Sequence, residues 1–186
     1  MFIAQQKRRE NMAEYILYLW QLEDLLRALK LSPEAIYAQL VEPLDRPAEQ
    51  KQQAFLWYMS LVNLLKEEGK TESGHLNHTL HLIDDMENLH RQLLELPAGE
   101  EYRQLWQPLK EELPRLRIVL ARDGISDMEL CFRALYAVML YRIKGDNTKS
   151  EVTDDVVAMI SPVVGKLSEI YGRVERGEID LFGGNK

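Results

Sequence analysis

The chain has 186 residues, thirty of them acidic and twenty-three basic, and a formal net charge of −7. That balance argues against nucleic acid or an anionic membrane as a partner, since both need a cationic face. The length suits one domain able to bury a sizeable core, and the single cysteine, Cys131, set among Leu130, Phe132, Ala134 and Leu135, reads as a small buried hydrophobe in a reducing compartment.

The N-terminal stretch reaches Lys7, Arg8 and Arg9 after only a few apolar residues, so no secretory signal is expected. A first helix is predicted from Ile3 to Lys30. At about 100° per residue, Met12, Tyr15, Ile16, Leu19, Trp20, Leu22 and the leucines that follow spread around it and leave only a narrow polar strip near Glu14, Gln21 and Ala28. Such a helix must be nearly enclosed. Glu23 falls inside the apolar arc, where an unpaired carboxylate is costly, so a partner is required. Arg27, one turn later, is a favourable one.

Ser32-Pro33 supplies an N-cap and a first-turn proline for a short helix ending near Pro43. Asp45-Arg46-Pro47 repeats the signal for a third helix to Glu68, closed by Gly69. A fourth helix, Leu76 to Leu96, points Leu76, Leu80, Ile83, Met86, Leu89 and Leu93 inward. A fifth region, Glu100 to Arg122, contains Pro108 and Pro114 and is expected to be kinked or split. Ser126-Asp127-Met128-Glu129 has the form of a capping box and opens a sixth helix to Lys144. A polar connection, Gly145 to Lys149, leads to a last helix from Ser150 to Glu175, with a bend expected at Ser161-Pro162.

No run of strict alternation marks a strand. The expected fold is therefore an all-α, single-domain multi-helix bundle of about six to seven helices around the central N-terminal helix, spanning 1–178, with a flexible tail over 179–186 in which Ile179, Leu181 and Phe182 are able to dock. The longest apolar run, Ala134 to Tyr141, has eight residues, far short of the ~20 needed to cross a bilayer. A cytoplasmic protein with no membrane segment is expected.

Four charged or ionisable side chains lie on apolar faces: Glu23 and Arg27 in the first helix, His90 in the fourth and Arg142 in the sixth. If those faces meet, the four form one internal ionic network. The network is either purely structural or lines a pocket in which Arg142 or Arg27 holds an anionic group among aromatics such as Trp20 and Tyr136.

Metal chemistry has one candidate, the run His75, His78, His81, Asp84, Asp85, Glu87, His90, with glutamate-x-x-histidine spacings at Glu72/His75 and Glu87/His90. Di-iron bundles draw such pairs from separate helices, whereas these lie within nineteen residues of one segment. The reading adopted is metal-free and without a cofactor. There is no glycine-rich phosphate loop, no G-x-S-x-G, no CxxC and no HExxH, so no catalytic residue is assigned.

Several segments resemble a bacterial helical family catalogued as a domain of unknown function, number 4924: Ala13-Glu14-Tyr15, Trp20 through Arg27, Gly74-His75-Leu76, Leu89-His90, Cys131 through Tyr136, and Leu140-Tyr141-Arg142. The resemblance covers nearly the whole chain. It implies a helical cytoplasmic bacterial protein and hands down no activity or residue role.

Two functions fit these expectations. The first is a non-enzymatic helical protein that binds a protein partner or itself as a homodimer, using an apolar strip left on the third or last helix. The second is a small-molecule or anion-binding protein, an enzyme included, built on Glu23, Arg27, His90, Arg142 and Trp20.

Overall fold

A computed structural model describes residues 1–143, 145 and 150–180, with backbone alone over 150–153. It is all-α: α1 (Phe2–Glu10), α2 (Met12–Ala28), α3 (Pro33–Ile36), a π-helical turn (Tyr37–Val41), α4 (Ala48–Glu67), α5 (Asn77–Glu95), a 3-10 turn (Pro97–Gly99), α6 (Glu100–Leu120), α7 (Asp127–Ile143) and α8 (Ser150–Glu175). Among the described residues there is no strand, and no helix is long and apolar enough to cross a membrane. The expected tail residues Leu181 and Phe182, and most of the Gly145 to Lys149 connection, lie outside the described residues.

The backbone gathers into two compact units, one of Met1–Arg8 with Glu14–Leu80, the other of Arg9–Ala13 with His81–Lys186. In the first, Leu19, Leu22 and Leu26 of α2 pack against Ile36, Val41 and the α4 stripe Tyr58, Leu61, Val62 and Leu65. Burial of α2 follows its angular pattern: Ile16, Trp20 and Leu26 are fully enclosed. Leu25 is exposed because it lies about 20° from Glu14 on the helical wheel, on the polar strip. Ser32 caps α3 as its sequence predicts, its Oγ accepting the Ala35 N–H at 3.3 Å. Gly69, at φ +66°, closes α4 with the Lys70 N–H returning to Leu65 O, the paired bonds of a Schellman ending.

The second unit is built on α6, α7 and α8, with Leu109, Phe132, Ile160 and Leu167 fully buried. Gly99 is fixed by proximity: a Cβ there would stand 1.7 Å from Leu93 O. The same α5 carbonyl and Leu96 O accept from Arg103 Nη1 at 3.1 and 2.7 Å, so a guanidinium from the next helix finishes α5.

Two expectations about helix continuity need correction. The predicted first helix is two helices, interrupted at Asn11. Ser168 Oγ accepts the Ala13 N–H at 3.1 Å and donates to Asn11 Oδ1 at 2.9 Å, so a hydroxyl 157 residues away in sequence completes the start of α2. Conversely, of the two outcomes expected for the fifth region, a split is overturned: α6 runs unbroken through Pro108 and Pro114. Both prolines and the residues four back, Gln104 and Lys110, are exposed, so the helical bonds they forgo lie on the solvent side of α6. α8 also continues through the exposed Pro162, where a bend rather than a break is expected.

Candidate functional site: buried carboxylates at two helix starts

The partner that Glu23 requires is His75, in the segment that leads into α5. His75 Nδ1 lies 2.9 Å from Glu23 Oε2, and the Leu76 N–H donates to Oε1 at 3.3 Å. Both side chains are buried. Glu68 accepts the next amide, Asn77 N–H, at 2.7 Å. Two carboxylates therefore stand at the positive end of α5, one from α2 and one from the end of α4, where the unsatisfied N–H groups and the helix dipole favour negative charge.

Around this pair the site closes. The Trp20 indole stacks on the His75 ring, and its Nε1–H donates to Thr79 Oγ1 at 2.9 Å; that hydroxyl donates on to Leu76 O at 2.8 Å. Arg27 ties down the same segment. Its Nε donates to Lys70 O at 2.9 Å, its Nη2 donates to Gly74 O, its Nη1 meets Asp24 Oδ1 at 2.6 Å, and Glu23 Oε2 is 3.8 Å away. The guanidinium is consumed by backbone carbonyls and carboxylates, so the arrangement is an interlock between α2 and the 70–76 segment rather than a cradle for an anion.

An equivalent device occurs in the second unit. Glu87, buried on α5, accepts the Met128 N–H at 3.1 Å on one oxygen and Arg91 Nε at 2.9 Å on the other. Ser126 Oγ accepts the Glu129 N–H at 3.1 Å, half of the predicted capping box; Glu129 itself turns to Arg133 at 2.8 Å. In the sequence Glu87 is visible only as part of a glutamate-x-x-histidine spacing. What it does, capping α7 from another helix, depends on a contact 41 residues away.

His90 is buried in this unit. Its Nδ1 is hydrogen-bonded to the Tyr102 hydroxyl at 2.6 Å, and its ring meets Trp106 edge-on at 4.3 Å between centroids. Burial holds the imidazole below its usual pKa of 6.5, opposed by the carboxylates of Glu87 and Asp127. Burial also pushes the Tyr102 hydroxyl and the Cys131 thiol far up, which removes both as nucleophiles near neutrality.

Within its own unit each member of the expected network has a partner of its own. Glu23, Arg27 and Trp20 belong to the first unit and interlock with His75; His90 and Arg142 belong to the second. Helical spacing puts Arg142 on an inward face, but its side chain is 52 % exposed and pairs with Asp154 of α8 at 2.6 Å. It sits in the last turn of α7, where the neighbouring Ile143 also emerges from the core. The histidines of the metal candidate separate as well: His75 faces Glu23, His78 Nε2 meets Tyr15 Oη at 3.2 Å, His81 is exposed, and His90 is bonded to Tyr102. No group of three or more potential metal ligands gathers among the described residues.

A family model described as a domain of unknown function (DUF4924) matches residues 1–178. No curated protein and no solved structure matches.

Proposed function

The chain belongs to the DUF4924 family, whose function is unknown, and we propose that it is a non-enzymatic helical protein that works by binding a protein surface, a second copy of itself included. The observation that carries this reading is the aliphatic surface left in water. Leu56 and Leu64 of α4 are 59 % and 38 % exposed, and Ile118 and Val119 of α6 are 81 % and 71 % exposed. Inside, by contrast, Glu23, Arg27 and Glu87 are engaged in holding helix starts and a loop. Contiguous exposed apolar surface marks an interaction site, and these side chains are the aliphatic material available for one. The buried lone thiol of Cys131 supports placing this activity in a reducing cytoplasm, a bacterial one by the family resemblance.

Sedimentation or light scattering over a range of concentrations, run beside a melting-point screen of metabolites, tests the proposal. Association with no ligand response is expected; a strict monomer whose melting point rises with one metabolite overturns it. A second reading has its own observation. A groove of about 350 Å³ between α5 and α8, within the range of small-molecule sites, is lined by Leu89, Val174, Ile179 and Tyr171 together with Asp85, Glu175 and Asp180. Its carboxylates suit a cation with an apolar body rather than an anion, so the screen includes polyamines and other cationic metabolites.

A further inference from the structure

The outward face of α6 carries, at the three- and four-residue steps of any one helix face, Gln104, Pro108, Glu111, Arg115 and Ile118, with an opposite-charge pair near its middle and an aliphatic side chain near its end. All five are exposed, so none belongs to the core of the chain. Buried residues of α6, Tyr102, Trp106, Leu109, Leu113 and Leu116, occupy the opposite side. The helix therefore has a complete inner face and an outer one that nothing in the chain covers among the described residues.

We propose that this outer face is the seam of a symmetric homodimer, in which α6 lies antiparallel to α6 of a second copy about a two-fold axis at the level of Leu113. This rests on the self-association reading above and names its interface. Charge complementarity chooses the occupant. An antiparallel pairing centred on residue 113 sets Glu111 opposite Arg115 of the second copy and Arg115 opposite its Glu111. The same register sets Ile118 opposite Pro108 and the reverse. One register thus brings opposite charges together twice and covers the most exposed aliphatic side chain twice, which is how a self-complementary two-fold interface is built. A register centred on residue 115 instead would set Arg115 against its own counterpart and Glu111 against Val119, so that both charge pairs are lost and two like charges meet. Arg115 is only loosely engaged within its own chain, 3.7 Å from Glu112 at a side chain 76 % exposed, and can turn toward a new carboxylate.

A single helix of 21 residues is about 31 Å long, so the seam lies at the small end of specific interfaces and the dimer dissociates on dilution. Sedimentation velocity on the full chain from low to high micromolar concentration is the experiment. Wild type should move from monomer to dimer. Arg115→Glu and Glu111→Arg should each weaken dimerisation by about tenfold or more, since each reverses a charge at two symmetry-related contacts. The double variant Glu111→Arg/Arg115→Glu should recover it. Circular dichroism, and melting points taken at concentrations where wild type is monomeric, should not change, because every altered side chain is exposed. A dimer indifferent to the single variants, or not recovered in the double, overturns the seam while leaving self-association standing. A monomer at every concentration overturns both.

Discussion

His75 lies flat against Trp20, with ring centroids 3.8 Å apart and planes within 8° of parallel, while its Nδ1 holds the buried carboxylate of Glu23. The indole fixes the imidazole, the imidazole and the Leu76 amide fix the carboxylate, and the carboxylate fixes where α5 begins. Glu23→Gln keeps the shape but removes the charge that the helix start and Arg27 both favour. Stability should fall by about 2 kcal/mol, the scale of a hydrogen bond to a charged group, or a few degrees in melting temperature at about 2–4 °C per kcal/mol for a chain of this size. Urea unfolding of wild type and variant measures it.

Arg142→Ala should behave very differently. Its pair with Asp154 is more than half exposed on both sides, and exposed pairs contribute little. Stability within about 0.5 kcal/mol of wild type is expected in the same urea assay. A large loss would return Arg142 to the interior role that its helical position suggested.

Acid should weaken the fold through His90. Burial lowers the pKa of this imidazole below the 6.5 of the unfolded chain. A base whose folded pKa is depressed contributes fully above the unfolded value and loses that contribution as pH falls below about 6.5 toward the folded one, because only the unfolded chain takes up the proton. The urea midpoint should therefore decline below that pH, and His90→Gln should flatten part of the decline. An NMR titration that finds His90 protonating above 6.5 would reverse the sign.

Ala121 ends α6 in the left-handed region, at φ 49°, with its N–H returning to Arg117 O and Ile118 O. Glycine takes that conformation without the steric cost an L side chain meets. Ala121 is exposed, so nothing is lost from the core. Ala121→Gly should stabilise the protein by about 0.5–1 kcal/mol after the added freedom of the unfolded chain is counted, read as a higher urea midpoint.

The features legible in the sequence were those set within one or two helical turns. Ser32 before Pro33, Ser126 three residues before Glu129, Gly69 after α4 and the inward Ile83, Met86, Leu89 and Leu93 of α5 all follow from local spacing, and the structure places each as expected, while Leu80 is only half-buried. So does the requirement that Glu23 have a partner, since its angular position alone put it among apolar neighbours. The identity of that partner was not legible. His75 is 52 residues away and groups with the other histidines by proximity in sequence, whereas folding sorts them by the helix each faces. Asn11 depends on Ser168, and Met128 on Glu87, for the same reason. Two of the segments that carry the family resemblance, Trp20 to Arg27 and Gly74-His75-Leu76, are the two that interlock. A matching pair of segments was thus on view in the sequence without the contact that joins them.

Because the amides of Leu76 and Met128 are each held by a carboxylate belonging to a different helix, neither can be secured by its own helix forming alone. Each is released to solvent deuterium only when the two helices concerned part. The exchange rate at Leu76 therefore times the opening of α2 from the start of α5, and the rate at Met128 times the opening of α5 from the start of α7, so that two readings on one chain clock its two units separately.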